Sequence, residues 1–132
     1  MKAIVSLILV CTLMIVAAPA YAGEALQIWK CEMDDDTTEQ EVMAMKQEWL
    51  TNARKMKGGE NLEAYVYFPV AVDSIGDTDF FFVVVSPTFE EHGKFWDNYI
   101  NSTVGEETEK RHQEKFVCPN SSLWESIKID VK

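Results

Sequence analysis

From Ala25 onward the hydrophobic positions switch between a period of two and a period of three to four, and the switches divide the chain into elements. Ala25 to Met33 mixes apolar and polar residues at period two and predicts a first strand. Asp34-Asp35-Asp36-Thr37 breaks it, and Thr38 with Glu41 three residues on forms a capping box. The helix that follows carries Val42, Met45, Trp49, Ala53 and Met56 on one face and ends at Gly58-Gly59. Leu62 to Val70 reads as a second strand, and Pro69, which cannot donate to a ladder, places it at a sheet edge. Asp73 to Asp77 is turn chemistry. Phe80 to Val85 is apolar at every position, the pattern of a strand covered on both faces. Ser86-Pro87-Thr88 opens a second helix with a stripe of Phe89, His92, Trp96, Tyr99 and Ile100. A break at 102–105 precedes a charged, solvent-facing helix over Glu106–Phe116. Cys118-Pro119-Asn120 then reads as a turn, and Leu123–Val131 as a last strand with Leu123, Ile127, Ile129 and Val131 on one side.

The order is strand, helix, strand, strand, helix, strand. This β-α-β-β-α-β arrangement predicts an α+β fold of ferredoxin-like type, a four-stranded antiparallel sheet with helices on one face. The first and third strands are then central, and the fourth pairs with the first. That pairing brings Cys31, near the end of strand one, beside Cys118, just before strand four.

The first twenty-two residues change the chemistry of those cysteines. Met1-Lys2, an apolar run over 3–16 and small residues ending in Ala20-Tyr21-Ala22 have the layout of a bacterial-type signal peptide cleaved after Ala22. The run is shorter than the roughly 20 residues of a spanning helix. The expectation is a signal peptide over 1–22 and a single domain over 23–132, periplasmic or secreted, with no membrane association after cleavage. Cys11 leaves with the leader. Cys31 and Cys118 remain in an oxidising compartment, where a disulfide is expected. The net charge of −10 moves to −11 when Lys2 is removed. Such a chain repels phosphate backbones and anionic bilayers, so nucleic acid is not an expected partner.

Trp29-Lys30-Cys31-Glu32, Gly58-Gly59-Glu60-Asn61-Leu62 and Ser86-Pro87-Thr88-Phe89, taken with the strand order, resemble small exported proteins of the dimeric α/β-barrel superfamily. The resemblance spans the chain after the leader. It implies this architecture and a homodimer. The superfamily includes cofactor-free monooxygenases, haem-handling enzymes and stress proteins, and no catalytic motif carries over to this chain.

Individual side chains narrow the chemistry further. His92 interrupts an apolar stripe, and Glu90-Glu91-His92-Gly93 lacks the paired histidines of a zinc motif, so a structural histidine is expected ahead of a pocket one. Asp34-Asp35-Asp36 lacks the alternating acids, glycine and distal glutamate of a calcium loop, and negative charge is favourable before a helix N-terminus. No metal or other cofactor is expected. Asn101-Ser102-Thr103 and Asn120-Ser121-Ser122 match the glycosylation pattern and are incidental behind a bacterial-type leader. Phe80 to Phe82 lacks the basic and glycine positions of an RNA-recognition strand. The aromatics exceed what one apolar sheet face needs, so a second subunit or a small apolar ligand is expected on the other. The candidate pocket comprises His92, Trp96, Trp29, Tyr65 and Tyr67. Two functions compete: a non-catalytic binding domain, or a monooxygenase-type enzyme acting without a cofactor on a small apolar or aromatic substrate, with His92 and Trp96 or Asn98 in its pocket.

Overall fold

The computed structural model describes residues 23–74 and 76–131. The expected leader, its cleavage point after Ala22 and Cys11 lie outside the described residues, as does Ile75 of the expected turn. The elements are β1 (Glu24–Met33), α1 (Glu39–Ala53), β2 (Glu63–Tyr67), β3 (Phe80–Ser86), α2 (Phe89–Ile100), α3 (Thr103–Gln113) and β4 (Phe116–Ser126). The strands form one antiparallel sheet in the order β2-β3-β1-β4. That is the ferredoxin-like order with β3 and β1 central, as expected from the sequence. No helix among the described residues is long and apolar enough to cross a membrane.

Local chemistry accounts for the element boundaries. Thr38 caps α1 reciprocally: its hydroxyl accepts from Glu41 N at 3.2 Å, and Thr38 N donates to Glu41 Oε2 at 2.8 Å. Thr88 and Ser102 cap α2 and α3 from one side only, their hydroxyls accepting from Glu91 N and Gly105 N. After α1 the chain reverses at Gly58, whose φ of +86° favours glycine, and Gly59 lies so close to Ala53 O that a Cβ would approach it to 2.1 Å.

The sheet has two unlike faces. Trp29 and Cys31 of β1, Val66 of β2 and Phe80, Phe82 and Val84 of β3 point at the helices. They meet Val42, Trp49 and Ala53 from α1, Phe95 and Tyr99 from α2, and Leu62 and Phe116, in one aromatic-rich core. The alternate residues, Leu26, Ile28, Tyr65, Tyr67, Phe81, Val83, Val85 and Trp124, share the opposite face, which no element among the described residues covers. The all-apolar pattern of β3 follows from this: one half of it meets the helices and the other half forms the centre of an apolar open face.

Four expectations are corrected. The last strand spans Phe116–Ser126 rather than Leu123–Val131, so Cys118-Pro119-Asn120 is strand and not turn. Pro119 is tolerated because β4 is an edge strand and because the register with β1 shifts between Lys30 and Glu32, a bulge where a ladder donor is not required. Ile127, Ile129 and Val131 lie beyond the strand and are exposed. The second strand ends at Tyr67, short of Pro69. On α2, Phe89 and Ile100 are exposed and Phe95, absent from the expected stripe, is fully buried. Finally, α3 is not merely solvent-facing, because Gly105, Thr108 and His112 pack inward.

Cys31 and Cys118 are disulfide-bonded across β1 and β4 beside the bulge, 87 residues apart in sequence. A crosslink closing so long a loop stabilises by about 4–5 kcal/mol in the chain-entropy model. The Cys31→Ala/Cys118→Ala double variant should therefore melt at least about 10 °C below the wild type. Thermal denaturation followed by circular dichroism measures this, and an unchanged melting temperature would show that sheet pairing alone holds β4.

Candidate functional site

Between the three helices and the sheet lies a cleft of about 650 Å³. Of the elements around it, α1 contributes for a reason visible in its own periodicity. The inward stripe of α1 runs through Val42, Trp49 and Ala53, and Lys46 lies four residues after the first and three before the second. Helix geometry thus directs a lysine at the core. α2 supplies Trp96 and Tyr99, α3 supplies Glu109 and His112, and the sheet supplies Trp29, Phe82 and Phe116.

The walls are aromatic and mutually packed. Trp29 and Trp96 have ring centroids 5.2 Å apart, and Trp29 stacks on Phe82 at 5.6 Å. Trp49 meets Phe82 edge-on at 5.1 Å and Tyr99 at 6.1 Å. These separations fall in the range of favourable ring pairs. The indole Nε1 of Trp96 is buried and has no hydrogen-bond partner among the described residues. A buried N–H left in this state costs its full desolvation penalty.

The polar groups are few. Lys46 is 7 % exposed, with Nζ 4.0 Å from the Phe82 ring centroid and 4.5 Å from that of Phe116. The ring faces offer partial compensation for the ammonium. No ion pair joins Lys46 to any described residue, and its Nζ, unlike Trp96 Nε1, is not closed off from the cleft. Burial pushes its pKa down to about 7, against a weaker opposing effect of Glu109. His112, stacked near Phe116 at 5.0 Å, is pushed down to about 3, first by burial and then by the charges of Lys46 and Arg111, so its ring is neutral. Tyr99 donates its hydroxyl to Glu109 Oε1 at 2.9 Å, and burial followed by the Glu109 charge raises its pKa. Among the described residues no group of three His, Cys, Asp or Glu side chains is placed to hold a metal ion.

Of the residues singled out from the sequence, Trp96 and Trp29 line this cleft together. His92 does not: it is buried one turn before Trp96, with Nδ1 3.3 Å from Ser86 Oγ, and burial lowers its pKa. Tyr65 and Tyr67 stack on each other at 6.2 Å on the opposite, open face of the sheet. Asn98 is exposed and ties α2 to the segment after α1 by donating to Lys57 O, and it also donates to Lys94 O within α2. The sequence reading missed Lys46, Tyr99, Glu109 and His112 as cleft residues. For Lys46 the signal was present, a lysine inside an apolar stripe. For α3 there was none, because its composition reads as solvated.

Solved structures share this architecture. At3g17210 from Arabidopsis thaliana superposes with a TM-score of 0.53 at 7 % identity, over 83 % of this chain and 98 % of that one. SnoaB, a cofactor-independent oxygenase from Streptomyces nogalater, superposes with a TM-score of 0.55 at 7 % identity, over 82 % and 97 %. At such identities the likeness concerns the fold alone. No family model and no curated protein matches the chain in sequence.

The buried amine makes stability depend on pH. Lys46 binds its proton more weakly folded than unfolded, so the folded state is penalised at and below about pH 7, and the penalty fades as pH rises toward the unfolded value near 10.5. Lys46→Met should therefore be more stable than wild type at pH 6, with the gap closing toward pH 10. Urea midpoints of both proteins at pH 6, 8 and 10 measure this. A gap independent of pH would show that the ammonium is paired in solution.

Proposed function

We propose that the protein is an exported ligand-binding domain, working as a homodimer, whose cleft holds a small flat apolar or aromatic molecule. The observation that carries the reading is the cleft itself: three tryptophans and two phenylalanines around about 650 Å³, with the Trp96 N–H unpartnered. Small-molecule sites are typically concave, roughly 300–1,000 Å³, and mostly apolar with a few polar groups that fix orientation. The disulfide between β1 and β4 fits export to an oxidising compartment.

The open sheet face supports the dimer. Tyr65, Tyr67 and Trp124 are roughly half exposed there, beside Leu26, Ile28, Phe81 and Val85. A contiguous apolar face of this kind is stable when another layer covers it, and a second copy of the same face is self-complementary under two-fold rotation.

A second reading, an oxygenase acting without a cofactor on an aromatic substrate, is favoured by one observation. The cleft contains an amine that is partly neutral near pH 7 and so able to take a proton from a bound acid. In that reading Trp96 remains a pocket residue, whereas His92 and Asn98 lie outside the cleft.

Native mass spectrometry of protein purified from its own compartment addresses ligand and assembly together. The expected species is a dimer with its disulfide intact and a small molecule retained. Tyr67→Lys/Trp124→Lys should shift the dimer to monomer with the ligand still bound, because those residues face away from the cleft. A wild type that stays monomeric and empty at about 100 μM would contradict both parts of the reading. Oxygen consumption with dihydroxyaromatic compounds, lost in Lys46→Met, would favour the enzyme.

A further inference from the structure

We propose that the ligand is a planar aromatic acid whose carboxylate seats on Lys46 Nζ while its ring lies against the tryptophans of the cleft; this rests on the cleft being a ligand site. Two observations converge on it. Lys46 is more than nine-tenths buried, opens on the cleft and has no acceptor among the described residues. Trp96 lines the same wall with its ring, while its buried Nε1 has no acceptor among the described residues. The amine reaches the cleft as a donor that no described residue answers, so a molecule that fits must bring acceptor oxygens to it. The walls otherwise offer ring faces, which favour a flat unsaturated body.

The charge requirement separates an acid from a neutral carbonyl or alcohol. Glu109, the carboxylate at the cleft, already accepts from Tyr99 and lies on the exposed side of α3. It leaves the amine without a direct ion pair. A neutral ligand would bury Lys46 further and leave its charge with only the ring faces and the more distant Glu109 to oppose its desolvation. A carboxylate arrives ionised and makes a charge-assisted hydrogen bond. The chain as a whole, at net charge −10, repels anions. Selectivity for an acid must therefore come from this buried cation and not from the general field of the protein.

The ligand pair that tests this is 2-naphthoate and its neutral counterpart 2-naphthalenemethanol, with 2-naphthol as an un-ionised phenol, each titrated calorimetrically into the exported, disulfide-bonded protein near pH 6.5. The wild type should bind 2-naphthoate at least about tenfold more tightly than either neutral compound. Lys46→Met, with an unchanged circular dichroism spectrum, should bind all three alike. In the wild type, affinity for 2-naphthoate should fall between pH 6 and pH 9 as the amine loses its proton. The alcohol, which controls for Tyr99, Glu109 and His112 as the other titratable groups facing the amine, should show no such fall. This arm decides the matter even if Lys46→Met does not fold. Equal affinity for acid and alcohol in the wild type, or an acid preference that survives Lys46→Met, overturns the proposal while leaving the cleft a ligand site. A phenol bound as tightly as the acid overturns the carboxylate. Failure of all three to bind overturns the cleft reading as well.

Discussion

Trp49 is the contact through which the helix layer reaches the sheet. Its ring stands edge-on to Phe82 of β3 and to Phe95 and Tyr99 of α2, and it stacks with Trp96. One side chain from α1 thereby touches both α2 and the sheet, and it is 2 % exposed. The spacing between helices and sheet is set by the thickness of these rings. A core filled with aliphatic side chains could close down further, but edge-to-face rings cannot interdigitate as closely, and a gap remains between the rings and Glu109 and His112 of α3. The cleft is that gap. Its aromatic lining and its existence have the same origin.

The sheet distributes the remaining apolar surface. Because side chains alternate along each strand, a β3 that is apolar throughout must present hydrophobic residues to both sides of the sheet. Phe80, Phe82 and Val84 are consumed by the helix layer, whereas Phe81 and Val85 stay partly open between Tyr65, Tyr67 and the β1 residues Leu26 and Ile28. The molecule thus carries two separate apolar features on opposite sides of one sheet. Tyr65 and Tyr67 belong to the open face, so they cannot serve the cleft that Trp29 and Trp96 line.

Charge completes the contrast. The exposed surface is acidic, with ion pairs such as Arg111 to Glu48 and Lys110 to Glu106 lying in solvent, where each contributes little. Lys46 is the exception, a cation placed among rings on the dry side of α1. Burial alone would favour its neutral form. The charge of Glu109 opposes that tendency more weakly, leaving the pKa at about 7, and the rings of Phe82 and Phe116 lie against the ammonium.

Local pattern determined the order of elements and most of the sheet. The capping box of α1, the glycine pair after it and the apolar run of β3 follow from residue chemistry that acts over a few positions. The pairing of Cys31 with Cys118 follows once β4 is placed beside β1. The extent of β4 did not follow, because Pro119 signals a turn unless a bulge in the partner strand removes the need for its N–H, and the partner strand is ninety residues away in the chain. The cleft was only half legible. Trp29 and Trp96 stand out in any reading, but their partners come from α3, whose composition reads as solvated and whose inward side appears only when it packs against Tyr99 and Phe116. Whether His92, Tyr65 or Lys46 faces Trp96 depends on the side of the sheet and the rotation of each helix about its axis. Those are set by tertiary packing, since hydrophobic periodicity gives the direction of a face and not what stands opposite it.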